Sequence, residues 1–206
     1  MLTPEQIDAY AGQMAEPWGE LADRILRYMV RRIVKAGRIT DTVEWQAYRL
    51  EALGASEQYI RRQLQAIAAE IGPQEAAIFA RAMQEADAAD RAGAPPEAAA
   101  QAPGLGESPE AQQLIESGYR RTMNTLYNLT GTRAVGENQN LLETTRRQLA
   151  YYLDNAHADV ASGAFSWDGA TRRALRELAA RGVGAITYPS GHVDSLDVVV
   201  LRATRT

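Results

Sequence analysis

Apolar side chains recur every three or four residues through most of this 206-residue chain, and that spacing restricts it to helices. The clearest run is Trp18 to Lys35. Trp18, Leu21, Ile25, Tyr28, Met29 and Ile33 form a stripe there, and Leu26, Val30 and Val34 widen it to more than half the girth of a helix. Strand-type alternation is almost absent before Val183, alanine is abundant and there are only 2 Phe. The expectation is a mainly α protein: an N-terminal helical bundle over 1–90, an Ala/Pro/Gly linker over 91–107, and a helical domain over 108–206 with a small turn or β-hairpin unit near the C-terminus.

Start and stop signals divide the stripe pattern. Thr3 and Pro4 have the chemistry of an N-cap and first helical residue. Pro17 is expected to restart the first helix and Gly37 to end it. Asp41 and Glu44 form a D-x-x-E capping box for a helix carrying Trp45, Tyr48 and Leu53, with Gly54 as its stop. Ser56 then caps a helix with Ile60, Leu64, Ile67 and Ile71 on one face, and Gly72–Pro73 reads as a stop followed by a start before Phe79 and Met83. These signals predict short antiparallel helices with short connections.

The linker 91–107, RAGAPPEAAAQAPGLGE, holds no large core residue except Leu105. After it, Ser108-Pro109-Glu110 opens a helix through Leu114, Ile115, Tyr119, Met123 and Leu126, with an irregular end expected near Thr130–Gly131. A long helix is expected from Gln139 to Ala161, with a seam of Leu142, Leu149, Leu153, Ala156 and Val160, ended by Ser162–Gly163.

The net charge of −4 is too small to imply a global field for a polyanion. With no cysteine, disulfides and thiolate chemistry are excluded. No apolar run is long enough to suggest a membrane span, and Leu2-Thr3-Pro4-Glu5 is unlike a secretory leader. His157 and His192 have no third metal ligand at a suggestive spacing. Ser190, His192 and Asp194 alternate along one short segment, where nucleophile, base and orienter could not converge. Neither a catalytic residue nor a cofactor is assigned.

Two groups of cations are candidate binding surfaces. Arg24, Arg27, Arg31 and Lys35 make a basic rail that suits DNA or an acidic protein; the plainer reading is a solvated face supported by the pairs Glu20–Arg24 and Asp23–Arg27. Arg172, Arg173, Arg176 and Arg181 lie on a helix capped by Ser166 or Asp168 and closed by Gly182, off its apolar stripe of Ala170, Ala174, Leu175, Leu178 and Ala179. Beyond it, Tyr188-Pro189-Ser190-Gly191 supplies turn chemistry. Asp194 or Ser195 then caps a final segment from Leu196. Val198 to Val200 argue for strand there and the cap for helix; helix is preferred.

Four blocks, in order, resemble the phage minor capsid protein 2 family: AGRITDTVEWQAYRLEALG (36–54), TLYNLTGTRA (125–134), SGAFSWDGATRRALRELAARGV (162–183), and the YPSG turn with DSLDVVVLRATRT after it. The resemblance implies a structural minor head protein of a tailed phage or prophage, located in the virion at the portal vertex, acting in head assembly, DNA packaging or ejection. It implies the portal protein as partner, with several copies around its ring, and adds the major capsid protein and packaged DNA. Relatives continue past the R-T pair at Arg205–Thr206, so a fragment or a shortened member is expected. The alternative is a small hydrolase-like enzyme or the leader of an injected effector.

Overall fold

The computed structural model describes residues 2–39, 41–95, 97, 109–130, 141–182, 186–187 and 193–205. Six helices lie among them: α1 (Pro4–Ala36), α2 (Thr42–Gly93), α3 (Pro109–Thr130), α4 (Leu141–Ala161), α5 (Trp167–Arg181) and α6 (Leu196–Arg205). Two short strands, β1 (Ile186–Thr187) and β2 (Val193–Asp194), pair antiparallel between α5 and α6, with Ile186 opposite Asp194 and Thr187 opposite Val193. Tyr188, Pro189, Ser190 and Gly191, the expected turn, lie outside the described residues.

α1 is the central element: α2, α4, α5 and α6 all pack on it. Its buried stripe is Tyr10, Ala11, Met14, Ala15, Trp18, Leu21, Ile25, Met29, Ile33 and Ala36. Around it, one hydrophobic core takes Tyr48, Ala52, Ile60, Leu64 and Ile67 from α2, Leu149, Tyr152, Leu153 and Ala156 from α4, Ala174 and Leu178 from α5, and Val200 from α6. Residues 1–90 and 108–206 therefore share a core. α2 runs on to Gly93, into the start of the segment read as linker.

Most termini follow the cap chemistry. Thr3 makes a full capping box with Gln6, the Asp41 carboxylate accepts from the N–H groups of Val43 and Glu44, and Ser166 accepts from the N–H of Gly169. Gly163 and Gly182 close α4 and α5 at φ 72°, where an L side chain is disfavoured. The last segment is helical, as preferred over strand.

The expected short helices of the N-terminal region are replaced by two long ones. Pro17 lies inside α1, and Gly54, Gly72 and Pro73 all lie inside α2. The reason is phase. Tyr48, Ala52, Ser56, Ile60, Leu64 and Ile67 keep one buried face across Gly54, so the burial that rewards continuity outweighs the propensity cost of a helical glycine. Ser56 is not a cap; it sits fully buried on that face. Each proline removes the hydrogen bond to the carbonyl four residues back, on Gln13 and on Ala69, both exposed and so open to water. In α4 the buried face is Leu141, Thr145, Leu149, Tyr152, Leu153 and Ala156; Leu142 and Val160 of the expected seam are only partly buried.

A close approach joins α1 to α5. At Gly37, just past α1, an added Cβ would stand 2.1 Å from Trp167 Nε1 and 2.6 Å from Thr171 Oγ1. Arg38 lies over the Trp167 ring at 5.3 Å, so the α5 N-terminus is seated on the end of α1.

Candidate interaction surfaces

Most arginines of the described surface are held by the chain's own carboxylates. Arg32 pairs with Glu51, Arg61 with Glu57, Arg120 with Glu116, and Arg146 and Arg147 with Glu143. Such exposed pairs add little stability, and they also leave little for a partner to hold. The arginines that lack a carboxylate stand out against this background.

On α5 the four candidates divide. Arg173 Nε donates to Glu177 at 3.2 Å, its Nη1 reaches Asp159 at 3.4 Å, and it lies over the Phe165 ring. Arg181 lies over the Tyr151 ring at 5.8 Å. Both are occupied within the molecule. Arg172 and Arg176 are exposed, and among the described residues their Nε groups donate only to backbone carbonyls, of Asp168 at 3.2 Å and Arg172 at 3.3 Å. The four Nη N–H groups of each have no partner among the described residues and can fork onto an external anion, one helical turn apart.

The α1 rail is less uniform than its sequence. Lys35 lies over the Tyr48 ring at 5.1 Å. Arg24 is half-buried, with its Nε buried and unbonded. Arg27 and Arg31 are exposed and have no carboxylate partner among the described residues. The expected pairs Glu20–Arg24 and Asp23–Arg27 are not among the ion pairs of the described residues.

A third surface was not read from the sequence. Where α2 meets α4, Trp45 stacks on His157 with ring centres 4.1 Å apart, and Arg49 grips Asp154 with two bonds of 2.5 and 2.8 Å. The Asp154 bonds raise the pKa of Arg49 further, so this cation is permanent. Trp45, Gln46, Arg49, Leu50 and Asp154 line an open cleft of about 440 Å³. Beside it Val43 and Leu50 are 74% and 70% exposed. Val43, Ala47 and Leu50 at helical spacing, on the side away from Tyr48 and Ala52, were the available signal. His157, weighed as a metal ligand, is a stacking partner here. Asp194, weighed in a triad, is buried and ion-paired with Arg202; Ser190 and His192 lie outside the described residues.

One titratable group is buried away from these surfaces. Glu75 on α2 accepts from Trp18 Nε1 at 3.2 Å, and burial, opposed by that hydrogen bond, pushes its carboxyl up to about 7.

The family model described as phage minor capsid protein 2 matches residues 2–206. The chain belongs to the phage minor capsid protein 2 family. The match spans both sides of the 91–107 segment, as the shared core does. Searches of curated proteins and of solved structures returned no match. Membership gives this minor capsid protein a structural role in a phage and a place with the virion. No helix among the described residues is long and apolar enough to cross a membrane.

Proposed function

We propose that this minor capsid protein is a portal-associated component of a tailed-phage head, bound in several copies around the portal ring and acting in head assembly, DNA packaging or ejection. Family membership over residues 2–206 is the observation that carries the reading. A ring of identical subunits offers the same patch many times, so one modest contact per copy suffices for a stable assembly. Arg172 and Arg176 supply such a contact: an exposed pair of uncommitted guanidinium groups on a helix anchored at both ends, suited to carboxylates of the portal protein. The major capsid protein and packaged DNA are the further partners of this reading, and Arg27 and Arg31 on α1 are the rival anchor.

The test uses the whole chain, because both halves contribute to one core. The parent, the Arg172→Glu/Arg176→Glu variant and the Arg27→Glu/Arg31→Glu variant would each be mixed with portal rings and sized by light scattering. The expected result is a stoichiometric complex with the parent and with the α1 variant, and its loss with the α5 variant. No complex with the parent would sink the portal reading. Loss with the α1 variant alone would move the anchor to the rail.

A further inference from the structure

From Gly72 to Gly93, α2 presents a long arm in which one described side chain is buried, and that side chain is the carboxyl of Glu75, 1% exposed. Oε1 accepts from Trp18 Nε1 at 3.2 Å, while Oε2 is buried with no hydrogen-bond partner. Other arm contacts are at the rim: Arg81 Nε donates to the Tyr10 hydroxyl at 3.2 Å, and Phe79 tilts against Tyr119. An aliphatic side chain at position 75 would seat the arm on α1 at any pH. A carboxyl seats it well only with its proton, because a buried carboxylate with one N–H donor and no counter-ion is costly.

Among the described residues the surroundings supply no counter-ion. From α1 come Trp18 and Tyr10, while Glu16 and Glu20, on either side of Trp18, are exposed. From α3 comes Tyr119, whose hydroxyl donates to the Gly72 carbonyl at 2.9 Å, while Glu116 and Arg120 pair with each other in solvent. On α2 itself Arg81 is paired with Glu85. On α6, which packs on both α1 and α3, Arg202 is held by Asp194. Among the described residues, burial first and the opposing Trp18 hydrogen bond second govern the titration of Glu75.

The arm also begins at a weak point. Pro73 has no N–H for the Ala69 carbonyl, so the helix ladder is interrupted two residues before Glu75. We propose that Gly72–Pro73 is a hinge and the Glu75 proton its latch: protonated, Glu75 seats residues 73–93 against α1; ionised, it turns to water and the arm swings away from Trp18. The latch is independent of the protein's partners.

Hydrogen exchange of the intact chain tests it, with rates corrected for the intrinsic pH dependence and segment 73–93 compared with segment 42–67. Between about pH 6 and 8 the ratio of exchange in 73–93 to that in 42–67 should rise about tenfold, the growth of the ionised fraction across a pKa near 7. Glu75→Gln, which keeps the shape and cannot ionise, should hold the ratio flat. A flat ratio in the parent overturns the latch, as does a rise that Glu75→Gln retains. An equal rise in both segments also overturns it, since that is general loosening and not a hinge. If Glu75→Gln does not fold, the ratio in the parent decides alone.

Discussion

Between Tyr48 and Ile67, α2 buries Tyr48, Ala52, Leu53, Ser56, Ile60, Leu64 and Ile67; between Gly72 and Gly93 it buries Glu75 alone among the described side chains. Both halves are helical, both are rich in alanine, and both contain a residue that ought to end a helix. Continuity of a helix and strength of its anchoring are thus separate properties. The proximal half is fixed by a wide apolar face on α1 and α4. The distal half persists as helix with partly buried residues, one buried polar contact and others at its rim, the condition under which segments open locally at low cost.

The largest test of this contrast is a pair of truncations. Ile60→Ala, at a fully buried site, should cost about 3–4 kcal/mol, whereas Phe79→Ala, half-buried on Tyr119, should cost under about half of that. Urea unfolding would measure both, and equal costs would erase the distinction between the halves.

The pH dependence of stability comes next. Glu75 has a native pKa near 7 against an ordinary value of 4.5, so the native state holds its proton more tightly than the unfolded chain. Its contribution is therefore fully present below about pH 4.5, is lost as pH rises to about 7, and changes no further above that. The full loss is at most about 3 kcal/mol. Melting temperatures of the parent and of Glu75→Gln should diverge across that window, the variant lacking the decline; parallel curves would show that Glu75 ionises freely in the native state.

Gly37→Ala should cost about 1–3 kcal/mol, because its Cβ would meet the Trp167 indole at 2.1 Å. Thermal unfolding would read this, and a neutral result would mean that the α1–α5 contact yields as readily as the distal arm. The smallest effects are expected inside α2. Gly54→Ala meets nothing within 4 Å and should stabilise by about 0.5–1 kcal/mol. Gly72→Ala has the same space but should gain less, because a Cβ before proline disfavours the helical conformation. Equal gains at the two sites would argue against a weak point at 72–73.

The parts of the fold legible in the sequence were those decided locally. Thr3–Pro4, Asp41, Ser166, Gly163 and Gly182 act within four residues of themselves, and each marks a real terminus. Gly54 and Ser56 misled because their local preference was overruled by burial on α1, which no window around them displays, whereas Gly72–Pro73 lies inside a helix that continues with little burial beyond it. The surfaces divide in the same way. Arg173–Glu177 is four residues apart and readable, but Arg49–Asp154 spans 105 positions, and Glu75 meets Trp18 across 57. Arg172 and Arg176 could be named as cations, but not as ones without a carboxylate among the described residues. Glu75 looked like any surface glutamate.

The packing of α6 on α1 has a consequence for how the protein is made. Ile25, Met29 and Ile33 are made well before one of the helices that pack on α1, which begins at Leu196. At ordinary elongation rates of about 5–20 residues per second, roughly ten seconds or more separate the two. For that interval nascent α1 carries part of its apolar stripe uncovered, and whatever shields it then, a chaperone or the long α2, stands in for a helix not yet made.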